Sequence, residues 1–422
     1  MRFLFGVNCV ILRKYLEFAQ LEFHASFMIE REIRGEVLQA AKEYPMVTII
    51  GPRQSGKTTL AQELFAQKPY FSLEDPDVRR YAQEDPRAFL ADSPDGAILD
   101  EFQNVPELLS YLQGVVDRDA RNGLFILTGS QNFLLMESVS QSLAGRTAIL
   151  TLLPLSIEEL CSKGEAPAVN SLLHKGLLPR IHDEVLEPLR FHRNYFQTYV
   201  ERDLRSLLNV HNLQAFETFV RLCAGRVGQI LNLSSLASDA GISQTTAKEW
   251  LHLLETSFIS FRLYPWYENI GKRLVKSPKI YFHDVGLAAY LCGIEEEQHL
   301  FKHPLRGNFF ENLVVSEFVK QRHNQGKDNR LHFYRDSHGN EIDLLYPIGR
   351  SYVPVEIKSG TTVATDWFKQ FKQFKKVKGD SLPGMLIYGG EEVQKRSLGT
   401  VTSIWKLRDC LSSVMSESVS IQ

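Results

Sequence analysis

Gly51-Pro52-Arg53-Gln54-Ser55-Gly56-Lys57-Thr58 stands between an apolar run, Met46-Val47-Thr48-Ile49-Ile50, and a helix-forming stretch, Thr59-Leu60-Ala61-Gln62-Glu63-Leu64. The glycines let backbone N–H groups curl around a β-phosphate, Lys57 neutralises β/γ charge, and Thr58 offers a hydroxyl to Mg²⁺. A helix that starts at the loop adds the positive end of its dipole. A strand before and a helix after distinguish such a P-loop (Walker A) from a structural glycine turn. The stretch therefore predicts binding of a nucleoside triphosphate, ATP, through Gly51, Pro52, Arg53, Gln54, Ser55, Gly56, Lys57, Thr58 and Thr59.

Downstream, Ala97-Ile98-Leu99 runs into Asp100-Glu101. Two adjacent carboxylates ending an apolar strand are costly without a partner. An ordinary acidic turn is one reading. Beside a phosphate loop the stronger one gives Asp100, with Thr58, a share in holding Mg²⁺, and gives Glu101 the attacking water to orient or deprotonate, which implies hydrolysis. The next run, Leu124-Phe125-Ile126-Leu127, ends in Thr128-Gly129-Ser130-Gln131. Strand C-termini are where an open α/β sheet places its ligand, so Thr128 and Ser130 are candidate nucleotide contacts, although such residues also serve turns for local reasons. Arg146, in Leu143-Ala144-Gly145-Arg146, is the candidate catalytic arginine finger, in cis or in trans. The alternative is a solvated arginine opening the strand Thr147-Ala148-Ile149-Leu150.

The chain has 422 residues, 44% of them hydrophobic, and a formal net charge of −2, which leaves room for two or three globular domains. Bulk charge does not point to nucleic acid, so a DNA-binding surface has to be a local patch. Cys9, Cys161, Cys223, Cys292 and Cys410 form no CxxC pair and read as reduced thiols of a cytoplasmic protein, without a disulfide framework or a zinc site. Met1 to Leu12 is apolar but is interrupted by Asn8, lacks a basic start and is too short to span a bilayer, so neither a signal peptide nor a membrane partner is expected. Residues 1–27 read as a leader or as a misassigned start, with Met28 opening a better amphipathic helix.

From residue 28 to 153, apolar runs at 46–50, 69–74, 97–100, 124–128 and 147–152 alternate with helix-length stretches, the pattern of a parallel sheet covered by helices. Residues 154–300 are mostly helical, opening with a capping box at Ser156 and Glu159. Within them, Leu233 to Leu251 has the small residues, turn glycine (Gly241) and Ser-capped second helix of a helix-turn-helix. Strands at 258–264 and 279–282 would complete a winged helix at about 230–284, with Lys272, Arg273, Lys276 and Lys279 on the wing turn to meet phosphates. The second helix offers only Gln244, Thr245, Thr246 and Lys248, opposed by Glu249, so DNA contact and protein packing both stand.

Residues 301–410 return to α/β character, with 411–422 as a tail. A helix carries Glu311, a strand carries Asp343 in an apolar setting, and Glu356 and Lys358 share one face of the next strand. This set resembles the PD-(D/E)XK nuclease superfamily, a restriction-endonuclease-like fold, with Asp343 and Glu356-Ile357-Lys358 as its motif. The resemblance implies that Asp343 and Glu356 bind Mg²⁺, that Glu311 assists, and that Lys358 stabilises charge or activates water in phosphodiester hydrolysis. A salt-bridged, non-catalytic cluster would look the same in sequence. The basic stretch Asp366 to Lys376 is an amphipathic helix whose aromatics belong to the core and whose lysines are a phosphate-facing strip or a solvated face.

From Met28 onward, the order of Gly51 to Leu60, Leu127-Thr128-Gly129-Ser130, Leu143 to Arg146, Tyr199-Val200-Glu201-Arg202-Asp203-Leu204, Lys276 to Phe282 and Phe309-Phe310-Glu311-Asn312 through Glu356-Ile357-Lys358 resembles a family of bacterial and archaeal ATPases with an AAA-type domain and a C-terminal domain of unknown function. Within it, Glu201-Arg202-Asp203 is a candidate interdomain latch or a charged helix face. The expected activity is Mg²⁺-dependent ATP hydrolysis coupled to a DNA-interacting, candidate nuclease domain. The alternative is an ATP-dependent switch acting through protein–protein contacts, with an inactive nuclease-like domain. A homo-oligomer is compatible with either.

Overall fold

Every residue of Met46–Ile50 is buried, as a strand covered on both faces requires of a continuous apolar run. The computed structural model describes residues 29–119, 121–130, 143–162, 164–199, 212–267, 277–336, 338–379 and 381–419. The expectations for residues 1–27, Met28, Lys272, Arg273, Lys276 and Glu201-Arg202-Asp203 lie outside the described residues.

Helix α1 (Arg34–Glu43) leads into β1 (Met46–Ile50), the phosphate loop and α2 (Lys57–Leu64), followed by β2 (Tyr70–Ser72), β3 (Ile98–Asp100), β4 (Phe125–Gly129) and β5 (Thr147–Thr151). The five strands are all parallel, in the order β2-β3-β4-β1-β5. Alternation along β1 sends Val47 and Ile49 into one cluster with Ile33, Val37 and Leu60, while Met46 and Ile50 join a second cluster on the other face. Register brings Ile50 level with Gly129 and Thr151, and Asp100 level with Thr128. The phosphate loop, Asp100 and Thr128 therefore meet at the C-terminal edge of the sheet.

Helix α3 (Ile157–Cys161) starts on the expected capping box, with Ser156 and Glu159 each bonding the other's backbone. After α4 (Pro188–Tyr195) and α5 (Leu213–Ala224), α6 (Leu233–Asp239) and α7 (Gln244–Thr256) flank Gly241, whose φ of 66° turns the chain; the Ser243 hydroxyl caps α7 at Thr246 N. Trp250 of α7 meets Phe216 and Phe219 of α5 edge-on, with centroids 5.2 and 5.6 Å apart.

The hairpin β6 (Ser260–Pro265) and β7 (Lys279–Phe282) does not stop at itself. Tyr264 and Pro265 pair in parallel with His332 and Phe333 of β8 (His332–Arg335), which lies beyond α8 (Arg306–Asn324). With β9 (Glu341–Ile348), β10 (Ser351–Lys358), β11 (Gly384–Tyr388), β12 (Gln394–Arg396) and β13 (Gly399–Ser403) this makes an eight-stranded mixed sheet, ordered β12-β13-β11-β10-β9-β8-β6-β7. One sheet thus runs across residue 300. Between β10 and β11, α9 (Lys369–Val377) buries Phe371 and Phe374, and α10 (Leu407–Val419) follows β13. Among the described residues no helix is long and apolar enough to cross a membrane.

Helix α8 is buried over most of its length and joins the two sheets. Its Glu317 carboxylate accepts from Ile157 N at 2.8 Å, and its Lys320 ammonium donates to the Leu155 carbonyl at 2.8 Å and to Glu317 at 2.7 Å. The buried charges are paired, as buried charges have to be.

Candidate nucleotide site

The loop after β1 depends on glycine where another strand's backbone approaches it. Gly51 has φ 154°, and a Cβ there would lie 2.0 Å from the Leu152 carbonyl oxygen at the exit of β5. Gly56, at φ 89°, opens α2. Inside the loop the Lys57 ammonium folds back onto the carbonyls of Gly51 at 3.1 Å and Pro52 at 2.7 Å. Burial pushes this ammonium down to about 8, against the pull of Glu101 and Asp100.

Asp100 is held by three hydroxyls. Thr58 donates to its carboxylate with both oxygens 3.0 Å away, Tyr70 donates at 2.8 Å, and Thr128 donates to Oδ1. Glu101 follows in the left-handed region, φ 51° and ψ 47°, so its side chain leaves the strand separately from that of Asp100. Ser130 donates to its Oε2 at 2.9 Å, and the Gln103 amide donates to the same oxygen. The Ser55 hydroxyl is buried in the loop without a hydrogen-bond partner. A hydroxyl donor inside a ring of backbone N–H groups suits a phosphate oxygen, and the oxygen donors of Thr58 and Asp100 suit a hard cation. A cavity of about 290 Å³ opens over this arrangement, lined by Arg53, Lys57, Thr58, Glu101, Tyr195 and Tyr199 among others. The sequence-derived residues Lys57, Thr58, Asp100, Glu101, Thr128 and Ser130 are thus brought together.

Arg146 is not. It precedes β5 at the N-terminal edge of the sheet, where its carbonyl accepts from Met46 N. The five residues of β1 separate it from the phosphate loop, about 16 Å at ~3.3 Å per residue. Its guanidinium instead grips Asp117 at 2.6 and 2.9 Å. The expectation of an arginine finger in cis is corrected on that ground.

In the C-terminal sheet, Asp343 of β9 accepts from Ile357 N at 2.8 Å and lies 3.5 Å from the Lys358 ammonium, which donates to Glu356 at 2.6 Å. Burial, and then the Asp343 charge, push the Glu356 carboxyl up to about 8, and its Oε2 is buried without a partner. Glu311 does not join them as a free carboxylate. Lys279 donates to it at 3.0 Å and Tyr281 at 2.6 Å, and Lys279 is also 2.6 Å from Glu341. Lys279, expected on the wing turn facing phosphates, is buried on β7 because two carboxylates compensate its desolvation. Among the described residues no group of three His, Cys, Asp or Glu is arranged to hold a metal ion, so a cation here would rely on Asp343 and Glu356.

Three family models match along the chain. Residues 43–161 match an AAA domain, and residues 166–298 and 306–407 match two domains of unknown function, DUF8612 and DUF4143. An uncharacterised protein of Mycobacterium tuberculosis is 32% identical over 337 residues, covering 79% of this chain and 74% of its own length, and a Mycobacterium bovis protein matches equally. The chain belongs to their family. Among solved structures, the Walker-type ATPase of Pyrococcus abyssi is similar over 63% of this chain and 96% of its own, at 16% identity and a TM-score of 0.41.

In this family member the P-loop domain is of the AAA type, and it leans on a residue ahead of that match which sequence reasoning missed. Arg31 is buried. It donates to the Ser55 carbonyl at 2.5 Å, the Leu153 carbonyl at 2.7 Å and the Glu159 carboxylate at 3.0 Å. Glu159 also accepts from Glu32 N at 2.7 Å and Ser156 N at 2.8 Å. Glu32 in turn bonds Asn324 of α8 and Arg408 of α10. Glu30-Arg31-Glu32 reads as an ordinary charged run; the one available signal was Glu159, a capping carboxylate in an apolar setting that needs a cation.

Proposed function

We propose that this chain hydrolyses ATP with Mg²⁺ and couples the nucleotide cycle to a DNA-interacting C-terminal domain. The observation that carries the hydrolysis is the division of labour between neighbouring carboxylates: Asp100 tied to Thr58, and Glu101 turned away by its left-handed backbone and held by Ser130. Lys57 leaves the loop carbonyls to neutralise β/γ charge, and the loop N–H groups with Ser55 hold the phosphate oxygens. Thr58 and Asp100 would hold the cation, which would supply charge neutralisation for the phosphates. Glu101 keeps Oε2 on Ser130 and Gln103 and uses Oε1 to orient the attacking water and take its proton. The test is ATP turnover by the full chain against Lys57→Ala and Glu101→Gln; turnover unchanged in both sinks the reading.

The DNA part is supported by the helix-turn-helix segment α6–α7 and its continuity, through β6, with the sheet that carries Asp343 and Glu356. The unpartnered Glu356 Oε2 fits a hard cation. A second reading has its own observation: Lys279 neutralises Glu311 and Glu341, which favours a non-catalytic ion-pair network and a nucleotide-controlled switch working through protein contacts. Mg²⁺-dependent cleavage of plasmid and linear DNA, with Asp343→Ala as control, separates the two. Cutting that Asp343→Ala abolishes supports the nuclease, and ATP turnover without cutting or DNA binding supports the switch.

A further inference from the structure

The cavity over the phosphate loop has a wall that does not come from the AAA domain. Tyr195 and Tyr199 lie beyond residue 161, where α4 passes into a π-helical turn at residues 196–199. Such wide turns recur at functional positions because they re-aim side chains within a helix. Here the two rings meet edge-to-face, with centroids 5.4 Å apart. The Arg53 guanidinium of the phosphate loop lies over the Tyr199 ring at 5.6 Å from its centroid. The Tyr199 hydroxyl donates to the Ser257 carbonyl at 2.8 Å, one residue past the end of α7. A single buried phenol thus touches the phosphate loop through its face and the second helix of the helix-turn-helix through its hydroxyl.

Resting on the ATP-hydrolysis reading above, we propose that Arg53 is the cis cation for the γ-phosphate, and that the Arg53–Tyr199 stack is the contact by which α7 registers whether that phosphate is present. Three observations converge on it. Arg146 is at the far edge of the sheet, so the cation cannot come from there in the same chain. Arg53 shares its cavity with Lys57 and Glu101, the side on which the γ-phosphate and attacking water belong. A guanidinium held over a ring face presents its N–H donors in a rigid fork that matches phosphate geometry, which an ammonium on the same ring does not. Tyr199 is therefore a positioning residue, aiming Arg53 while its own hydroxyl is tied to Ser257. By linkage, whatever the γ-phosphate does to Arg53 through the stack, the state of α7 does in return to ATP affinity.

The experiment uses the full chain and two probes, ADP and a non-hydrolysable ATP analogue, each with Mg²⁺. Affinity is read by competition with a fluorescent nucleotide, and the response of α7 by amide hydrogen exchange over residues 244–259. In the wild type, the ATP analogue is expected to change exchange in this segment more than ADP does. Arg53→Lys keeps the charge but not the planar fork; it is expected to lose about tenfold in affinity for the ATP analogue, the scale of a typical coupling, with ADP affinity within about twofold of wild type. Tyr199→Phe keeps the ring over Arg53 and removes the bond to Ser257; it should shrink the exchange difference and, by the same linkage, shift affinity for the ATP analogue while that for ADP stays at wild type. Thermal unfolding of each variant separates misfolding from altered reading, and Tyr199→Phe is the conservative one if a larger change fails to fold. Unchanged ATP/ADP discrimination in Arg53→Lys, or identical exchange over 244–259 with both probes, overturns this inference while the ATP reading survives. A wild type that binds neither probe removes both.

Discussion

Replacing Arg31 by Met removes a charge-assisted bond to each of the Ser55 and Leu153 carbonyls and strips the cation from Glu159, whose side chain has no exposed surface. Breaking a buried ion pair from one side costs about 3–5 kcal/mol, because the surviving charge is stranded. Glu159 keeps its bonds from Glu32 N and Ser156 N, which places the loss near the lower end of that range. The two carbonyls left without their donor add ~1 kcal/mol each. The expected destabilisation of Arg31→Met is thus about 4–5 kcal/mol, read from the midpoint of urea unfolding. In Arg31→Met/Glu159→Leu the stranded charge is gone, while the capping box, worth ~1 kcal/mol, the bond from Glu32 N, ~1 kcal/mol, and the two carbonyl bonds stay lost, about 4 kcal/mol in all. The double variant should be up to about 1 kcal/mol more stable than Arg31→Met alone. Stability and positioning then separate: with the Ser55 carbonyl unanchored, the double variant still binds nucleotide more weakly than wild type. A single variant that loses less than about 1 kcal/mol, or a double variant with wild-type nucleotide affinity, would refute the reasoning.

Glu101→Gln should retain nucleotide binding within about threefold while single-turnover hydrolysis falls roughly 10²–10⁴-fold, the range for removal of a general base; a loss confined to affinity would place Glu101 elsewhere in the mechanism. Burial sets the Lys57 ammonium of the nucleotide-free protein at about 8. Above that pH the free protein has lost the proton that the phosphate-bound form retains, so affinity should fall by up to about tenfold per pH unit from pH 8 upward. Fluorescent-nucleotide titrations between pH 7 and 9.5 check this, and a flat profile in that interval contradicts it. His283, buried against Phe258 and Phe261 and facing His323 and Lys320, is pushed down to about 3 by burial. Between pH 6.5 and 3 the unfolded chain takes up a proton here that the folded chain refuses, so this contribution to stability is complete above 6.5 and is lost on acidification. It amounts to about 3 kcal/mol by pH 4, and His283→Phe should flatten the slope of urea-derived stability in that window by that amount.

Much of the chemistry here is local and was legible without coordinates. A phosphate loop needs glycines, a lysine and a hydroxyl at fixed spacing between a strand and a helix, and all eight positions are contiguous. The apolar runs at 46–50, 97–100 and 124–128 announce parallel strands because both faces of such strands are covered, and the run at 147–152 joins them in parallel at the sheet edge. That Glu356 and Lys358 share a face follows from the two-residue period of a strand, and the Ser156/Glu159 capping box from one turn of helix. Only the tertiary structure decided the rest, since each remaining feature joins residues far apart in the chain. Strand β6 finds β8 across a long insertion, so one sheet spans what composition divides into two regions. Arg31 is claimed by Ser55, Leu153 and Glu159, and Lys279 by Glu311 and Glu341, where a linear reading sees exposed charge. Arg146 and the phosphate loop lie at opposite ends of a parallel sheet, a matter of strand direction and docking. Tyr199 reaches Arg53 only because the middle region packs over the AAA domain. Backbone periodicity is encoded within a few residues, whereas a buried charge takes whichever partner folding brings within reach, because leaving it unpaired costs more than any local preference supplies.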